Sequence, residues 1–255
     1  MRSYVKTIKA GNVLEKEVYE SVRRPGKKGI ARGTKRAETP EKQKLLNRIN
    51  AAKRYQRLIL NNFKKNDWWL TLILAENLTE EQAIREFNNF IDRFNYRLKK
   101  EGSARLKYIG VVARGEKGGR WHAHVVIPYY DPRIITEIWE KSAFAARVYY
   151  KPLYDDGNYK KLAEYIIDNG SKHRLKVSRG NLIPPKVTVR EITKKEARAL
   201  KNGEIPEPPK GYTEDKSACY FYHSDVTGIS CHFTYVKYSP PTAARGRGRR
   251  IAESI

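Results

Sequence analysis

The stretch Gly118-Gly119-Arg120-Trp121-His122-Ala123-His124-Val125-Val126-Ile127 constrains this chain more than any other. The paired glycines are turn chemistry, and Val125, Val126 and Ile127 favour extended backbone. A strand alternates its side chains, so His122 and His124 share one face while Trp121, Ala123 and Val125 take the other. Same-face neighbours lie about 7 Å apart at Cα, close enough for both imidazoles to reach one metal ion. Taken alone, such a pair more often marks half-buried strand histidines that only hydrogen-bond, because two ligands rarely complete a metal site.

Charge narrows the choice of partner. The 255 residues include 52 Lys and Arg against 28 Asp and Glu, a formal net charge of +24. A field of that sign attracts polyanions, and nucleic acid is the default partner. No apolar run approaches about 18 residues, so no membrane span or membrane partner is expected. Met1 to Lys6 lacks a signal-peptide core, and Cys219 and Cys231 make no disulfide framework, so a reducing cytoplasm is expected.

Residues 1–38 read as a flexible basic arm, with Arg23, Arg24, Lys27, Lys28, Arg32, Lys35 and Arg36 set among Pro25, Gly26, Gly29 and Gly33. Such an arm suits phosphate tracking or simple solubility. Thr39-Pro40-Glu41 is a helix start, with Thr39 as the cap. Leu45, Ile49, Ala52 and Ile59 then repeat at helical spacing to about Asn61-Asn62. Trp68 to Leu74 reads as a fully buried strand. Thr79-Glu80-Glu81-Gln82 is a capping box for a helix that carries Ile84, Phe87, Ile91, Phe94 and Leu98 and ends near Gly102. Leu106 to Ala113 forms an antiparallel hairpin with the histidine strand. Asp131-Pro132 starts another helix, Arg147 to Tyr150 is a short strand, and Asn158 to Asp168 is a helix stopped at Asn169-Gly170. Lys194 to Gly211 is a helix and linker. Residues 217–238 form a terminal hairpin, followed by a basic tail with Arg245, Arg247, Arg249 and Arg250. Cys219, His223, Cys231 and His232 match no standard zinc spacing and read as cross-strand packing.

The order strand, helix, strand, strand, helix, strand, helix specifies an α+β fold. Its centre is a mainly antiparallel sheet with helices packed on one face, preceded by an N-terminal helix and followed by a C-terminal β-hairpin. Four units follow: an arm at 1–38, a core at 39–190 with its leading basic helix, an extension at 191–238 and a tail at 239–255.

With Asn61-Asn62-Phe63, Leu70-Thr71-Leu72, Gly118 to His124, Leu162-Ala163-Glu164-Tyr165-Ile166-Ile167, Ser178-Arg179-Gly180-Asn181-Leu182 and Pro184-Pro185 in this order, the chain resembles a rolling-circle replication initiator. The resemblance is to the phage and plasmid replication-associated type, within the endonuclease superfamily defined by a His-hydrophobic-His motif. It covers roughly residues 30–238.

The resemblance implies metal-dependent, site-specific nicking and religation of DNA through a 5′-phosphotyrosine link, with Tyr165 as nucleophile. It implies that His122 and His124 hold a divalent metal. Imidazole with oxygen ligands suits Mn²⁺ somewhat better than Mg²⁺. The family's acidic or amide ligand position falls on Ala113. Glu116 in the connecting loop is the substitute third ligand, or else a solvated turn residue. The family's lysine one turn after the tyrosine is here Asp168. Tyr159 is the reserve nucleophile.

Arg120, Lys161, Lys172, Arg174, Lys176 and Arg179 are the candidate nucleic-acid contacts. The expected partners are single-stranded or origin DNA and, since no P-loop is present, a host helicase with a polymerase, in a bacterial or phage-infected bacterial cell. Two alternatives stand beside this reading: a DNA-binding protein on the same fold with a decayed site, and a transposase or relaxase of the same superfamily.

Overall fold

The computed structural model describes residues 2–21, 40–115, 119–154, 156–169, 174–224 and 228–238. In chain order the elements are β1 (Arg2–Ala10), β2 (Val13–Ser21), α1 (Glu41–Asn62), β3 (Trp68–Leu74), α2 (Glu80–Lys100), β4 (Ile109–Arg114), β5 (Trp121–Ile127), α3 (Pro132–Glu140) and β6 (Ala145–Pro152). A 3₁₀ turn then leads into α4 (Lys160–Asn169), followed by β7 (Leu175–Val177), β8 (Lys186–Glu191), α5 (Lys194–Lys201), β9 (Tyr212–Glu214), β10 (Tyr220–Ser224) and β11 (Gly228–Lys237).

Local chemistry places most boundaries. Thr79 and Gln82 close a reciprocal capping box on α2, and Asp131 caps α3 ahead of Pro132. The cap position of α1 falls on Pro40, with no side-chain cap bond, rather than on Thr39, which lies outside the described residues.

The central sheet runs in the order β6-β3-β5-β4-β7 with every pairing antiparallel. Leu70, Leu72, Leu74, Ala123 and Val125 bury one face against Phe87, Phe90 and Phe94 of α2 and Ile135, Ile138 and Trp139 of α3. The expected helix-covered face is thus present. Beyond that expectation, the second face also takes helices over part of its area. Ile109, Val111 and Val126 pack there with Ile59 of α1 and with Ala163 and Ile166 of α4. β3 is correspondingly not buried on both sides. Its even-numbered leucines are buried, while Trp69, Thr71 and Ile73 are only half-buried, because the second face is left partly open.

The expectation of a flexible arm over residues 1–38 is corrected for its first part. Residues 2–21 form the β1–β2 hairpin, turned by Gly11 at a φ of +55°. Tyr4, Val5, Ile8, Ala10, Val13 and Val18 supply the buried positions that a flexible arm would lack. The basic residues between Arg23 and Arg36 lie outside the described residues, as does the tail at 239–255.

The expected C-terminal hairpin forms from β10 and β11 and joins β2, so both ends of the described chain build one second sheet, β10-β11-β2-β1-β8, with β9 on β11. β8 belongs to this sheet through β1, so an element boundary at 190 would cut a strand. Among the described residues, no helix is long and apolar enough to cross a membrane.

α1 ties the two sheets together. Arg57 forks onto Glu15 at 3.1 and 2.6 Å and reaches Glu17 at 2.7 Å, with Arg57 and Glu15 side chains only 14% and 9% exposed. At the helix end, Asn61 and Asn62 donate to the Ile183 carbonyl, and Ile183 N–H donates back to Asn62 Oδ1 at 2.7 Å. These are the Asn61-Asn62 and Pro184 segments of the sequence motifs, and their contact is structural.

Arg57→Ala leaves two carboxylates without their guanidinium at a desolvated joint. A loss of about 3 kcal/mol is expected, read as a lower urea midpoint than wild type.

Candidate functional site

The register of the central sheet assembles the site. Thr71 of β3 pairs with His124 of β5, and Val111 of β4 lies on the other side. One row away, Ile73, His122 and Ala113 align in the same manner. His122 and His124 therefore share a face, with ring centroids 4.8 Å apart. From the facing helix, Tyr165 brings its ring to 4.9 Å from His124, edge-on. Tyr165 is there because Ala163 and Ile166 anchor α4 in the core, which turns residue 165 toward the open part of the face, 36% exposed.

Trp69 and Thr71 complete the cluster. The Trp69 ring stacks on His124 at 5.0 Å and stands edge-on to Tyr165. Thr71 Oγ1 lies 3.0 Å from His124 Nδ1. His122 Nδ1 faces the Arg120 carbonyl at 3.3 Å, so Nδ1 donates and Nε2 keeps a lone pair. With Thr71 accepting from His124, its Nε2 is left as a ligand atom too. Neither residue had a role in the sequence reading. A lone threonine in an otherwise apolar strand, at the parity facing the histidines, was the available signal.

Burial first, and the neighbouring His122 second, hold His124 down at about 4 against an ordinary 6.5, so its ring is neutral and able to ligate at neutral pH. Burial pushes the Tyr165 phenol up. Two deprotonated imidazoles aimed at one space fit a divalent cation. Ala113, buried beside His122, offers no ligand. Glu116, the substitute third ligand, lies outside the described residues, as does Lys172.

Among the described residues, one group of three potential ligands gathers elsewhere: Glu15, Glu17 and His232, within 4.8 Å of one another. The Arg57 guanidinium and the Lys6 ammonium already neutralise those carboxylates, which makes the group an ion-pair joint. The cysteines are free, Cys219 with its thiol on the Asp215 carbonyl and Cys231 buried in the second sheet's core, in line with packing.

The remaining candidates divide by location. Lys161 is exposed on α4 one turn before Tyr165 and lies beside it. Asp168, one turn after, is gripped by Arg48 of α1 at 2.5 and 2.6 Å, so its charge is offset. Arg120 pairs with Glu76. Arg174 forks onto Glu80 at 2.9 and 2.5 Å and lies over the Trp121 ring. Lys176 pairs with Gly110, the parity facing the α2 layer. Arg174 and Lys176 are thus on the side of the sheet away from the histidines. Arg179 is exposed in a loop whose neighbours Ser178 and Asn181 hold the chain to Tyr108 and Leu106. Tyr159, the reserve nucleophile, is buried in the core beneath α1 and α4, which removes it as a candidate.

Because the folded chain resists protonating His124, the stability tied to its neutral ring is complete above about 6.5 and is lost as pH falls toward about 4. In EDTA, the urea midpoint of wild type should fall more steeply across that window than the midpoint of His124→Gln.

Residues 67–174 match a family model described as replication-associated protein of the ORF2 type. The match runs from the start of β3 to the approach of β7 and spans His122, His124 and Tyr165. No curated protein and no solved structure matches the chain. Over residues 67–174, the unit that carries the site, the chain belongs to this family of replication-associated proteins.

Proposed function

We propose that this chain initiates rolling-circle replication by nicking and religating DNA through a covalent Tyr165 intermediate. One observation carries the reading: the tyrosine of α4 sits over two same-face imidazoles, 4.9 Å from His124, which is itself 4.8 Å from His122. The Tyr165 phenolic oxygen forms a bond to the backbone phosphorus. The bond from phosphorus to the 3′-oxygen breaks, and the tyrosine proton is balanced by the one that the 3′-hydroxyl acquires. The product is a 5′-phosphotyrosine ester and a free 3′-hydroxyl able to prime synthesis. The ester conserves the bond energy, so the reverse attack reseals the strand.

His122, His124 and Glu116 would hold the metal, Mn²⁺ or Mg²⁺. When bound, the ion supplies positive charge that offsets the phosphate and makes phosphorus a better electrophile. Thr71 orients His124, and Trp69 fixes its plane. Lys161 adds a cation beside the nucleophile, and Arg48 keeps the Asp168 carboxylate from repelling the phosphate. The family match and the net charge of +24 support DNA as the substrate. Helicase and polymerase would come from the host.

The second reading, a DNA-binding protein with a decayed site, is favoured by one feature, the apolar Ala113 beside His122. The two separate in one assay. Labelled single-stranded oligonucleotides from the protein's own locus are incubated with Mn²⁺ or EDTA, then denatured and resolved on a gel. A metal-dependent covalent species, absent with Tyr165→Phe and with His122→Ala, is the expected result. Thr71→Val should reduce its yield roughly 10- to 100-fold. Tight, salt-sensitive binding with no covalent species would establish the decayed site instead.

A further inference from the structure

The row-by-row register extends past the site to the sheet edge. Tyr149 of β6 pairs with Thr71, which pairs with His124. Arg147 pairs with Ile73, which pairs with His122, and Lys151 pairs with Trp69. Arg147, Tyr149 and Lys151 therefore stand on the histidine face, and all three are exposed, Tyr149 by 48%. Their neighbours Val148 and Tyr150 turn the other way and pack against the α2–α3 layer, which fixes the strand's orientation. Strands lie about 4.8 Å apart, so Tyr149 is about 10 Å from His124 across Thr71.

This strip has the chemistry of a nucleic-acid surface. The Arg147 guanidinium donates to the Tyr149 hydroxyl at 2.9 Å and lies 5.7 Å from its ring centre, so ring and cation form one edge. Lys151 flanks the ring on the other side. Among the described residues, neither Arg147 nor Lys151 has a carboxylate partner, whereas Arg120 and Arg174 are paired with Glu76 and Glu80. An unneutralised cation–aromatic–cation run on a strand, continuous with the cluster around Tyr165, matches the sugar–phosphate and base alternation of a single strand. A duplex keeps its base faces stacked and offers nothing for the ring to cover.

We propose that Arg147, Tyr149 and Lys151 form a single-stranded DNA platform. Tyr149 stacks on a base, and Arg147 and Lys151 contact the phosphates on either side of it. That the bound nucleotides adjoin the scissile phosphate rests on the nicking assignment of Tyr165, but binding to the platform does not.

The test is fluorescence anisotropy in EDTA, so that no chemistry intervenes, with the full chain and a labelled oligothymidylate of about 16 nucleotides or a mixed-sequence duplex. Tyr149→Ala should weaken single-strand binding roughly 5- to 100-fold while leaving duplex binding unchanged. Tyr149→Phe should stay close to wild type, because the ring and not the hydroxyl stacks. The double variant Arg147→Ala, Lys151→Ala should lower the salt slope by about 1.4. Single-strand affinity unchanged in Tyr149→Ala, or lost equally for single strand and duplex, would overturn the platform. Covalent trapping of Tyr165 is read separately. A failed adduct alongside the Tyr149→Ala loss sinks the nicking assignment and keeps the platform. An intact adduct with unchanged binding does the reverse.

Discussion

The antiparallel pairing of β3, β5 and β4 is the constraint on which the site depends. The period of two along β5 sends Ala123 and Val125 into the α2–α3 layer and leaves His122 and His124 on the opposite face. A register slip of one residue would bury the imidazoles among phenylalanines and expose the apolar set. Gly110 shows how tightly this register is packed. A Cβ there would meet the His124 carbonyl at 2.9 Å and Phe87 at 3.1 Å. The helix layer thus positions the histidines through their strand, without touching them.

α1 is the second organising element. One face of it contributes Ile59 to the core shared with α4. Its side chains reach three places: Arg48 holds Asp168 on the tyrosine helix, Arg57 holds Glu15 and Glu17 of β2, and Asn61 and Asn62 hold the segment that leads into β8. The helix therefore sets the position of Tyr165 relative to the sheet and joins the second sheet to the first. Its basic character is partly spent on these internal pairs, so net charge alone overstates how many of its cations face a ligand.

The elements were legible where short-range chemistry is strong. The capping box at Thr79, the Asp131-Pro132 start and the His-Ala-His alternation all appear where the residues put them. The hairpin at residues 2–21 was not read from its residues, because its charged outer positions disguise a period-two apolar set whose partners, β8 and β11, lie far along the chain. Among the basic candidates, composition could not tell Lys161, beside the nucleophile, from Arg174, whose guanidinium is spent on Glu80 and Trp121 across the sheet.

The sequence by itself determined the α+β class, the shared face of the two histidines and the affinity for polyanions, since these follow from side-chain period, capping chemistry and summed charge. Only the tertiary structure decided which tyrosine meets the histidines, that Thr71 and Trp69 hold His124, that Asp168 is neutralised by Arg48 and that Tyr149 lies in the same row as the site. Each of these is a contact between residues remote in the chain, set by strand register and helix docking, and neither quantity is written in any local stretch of residues.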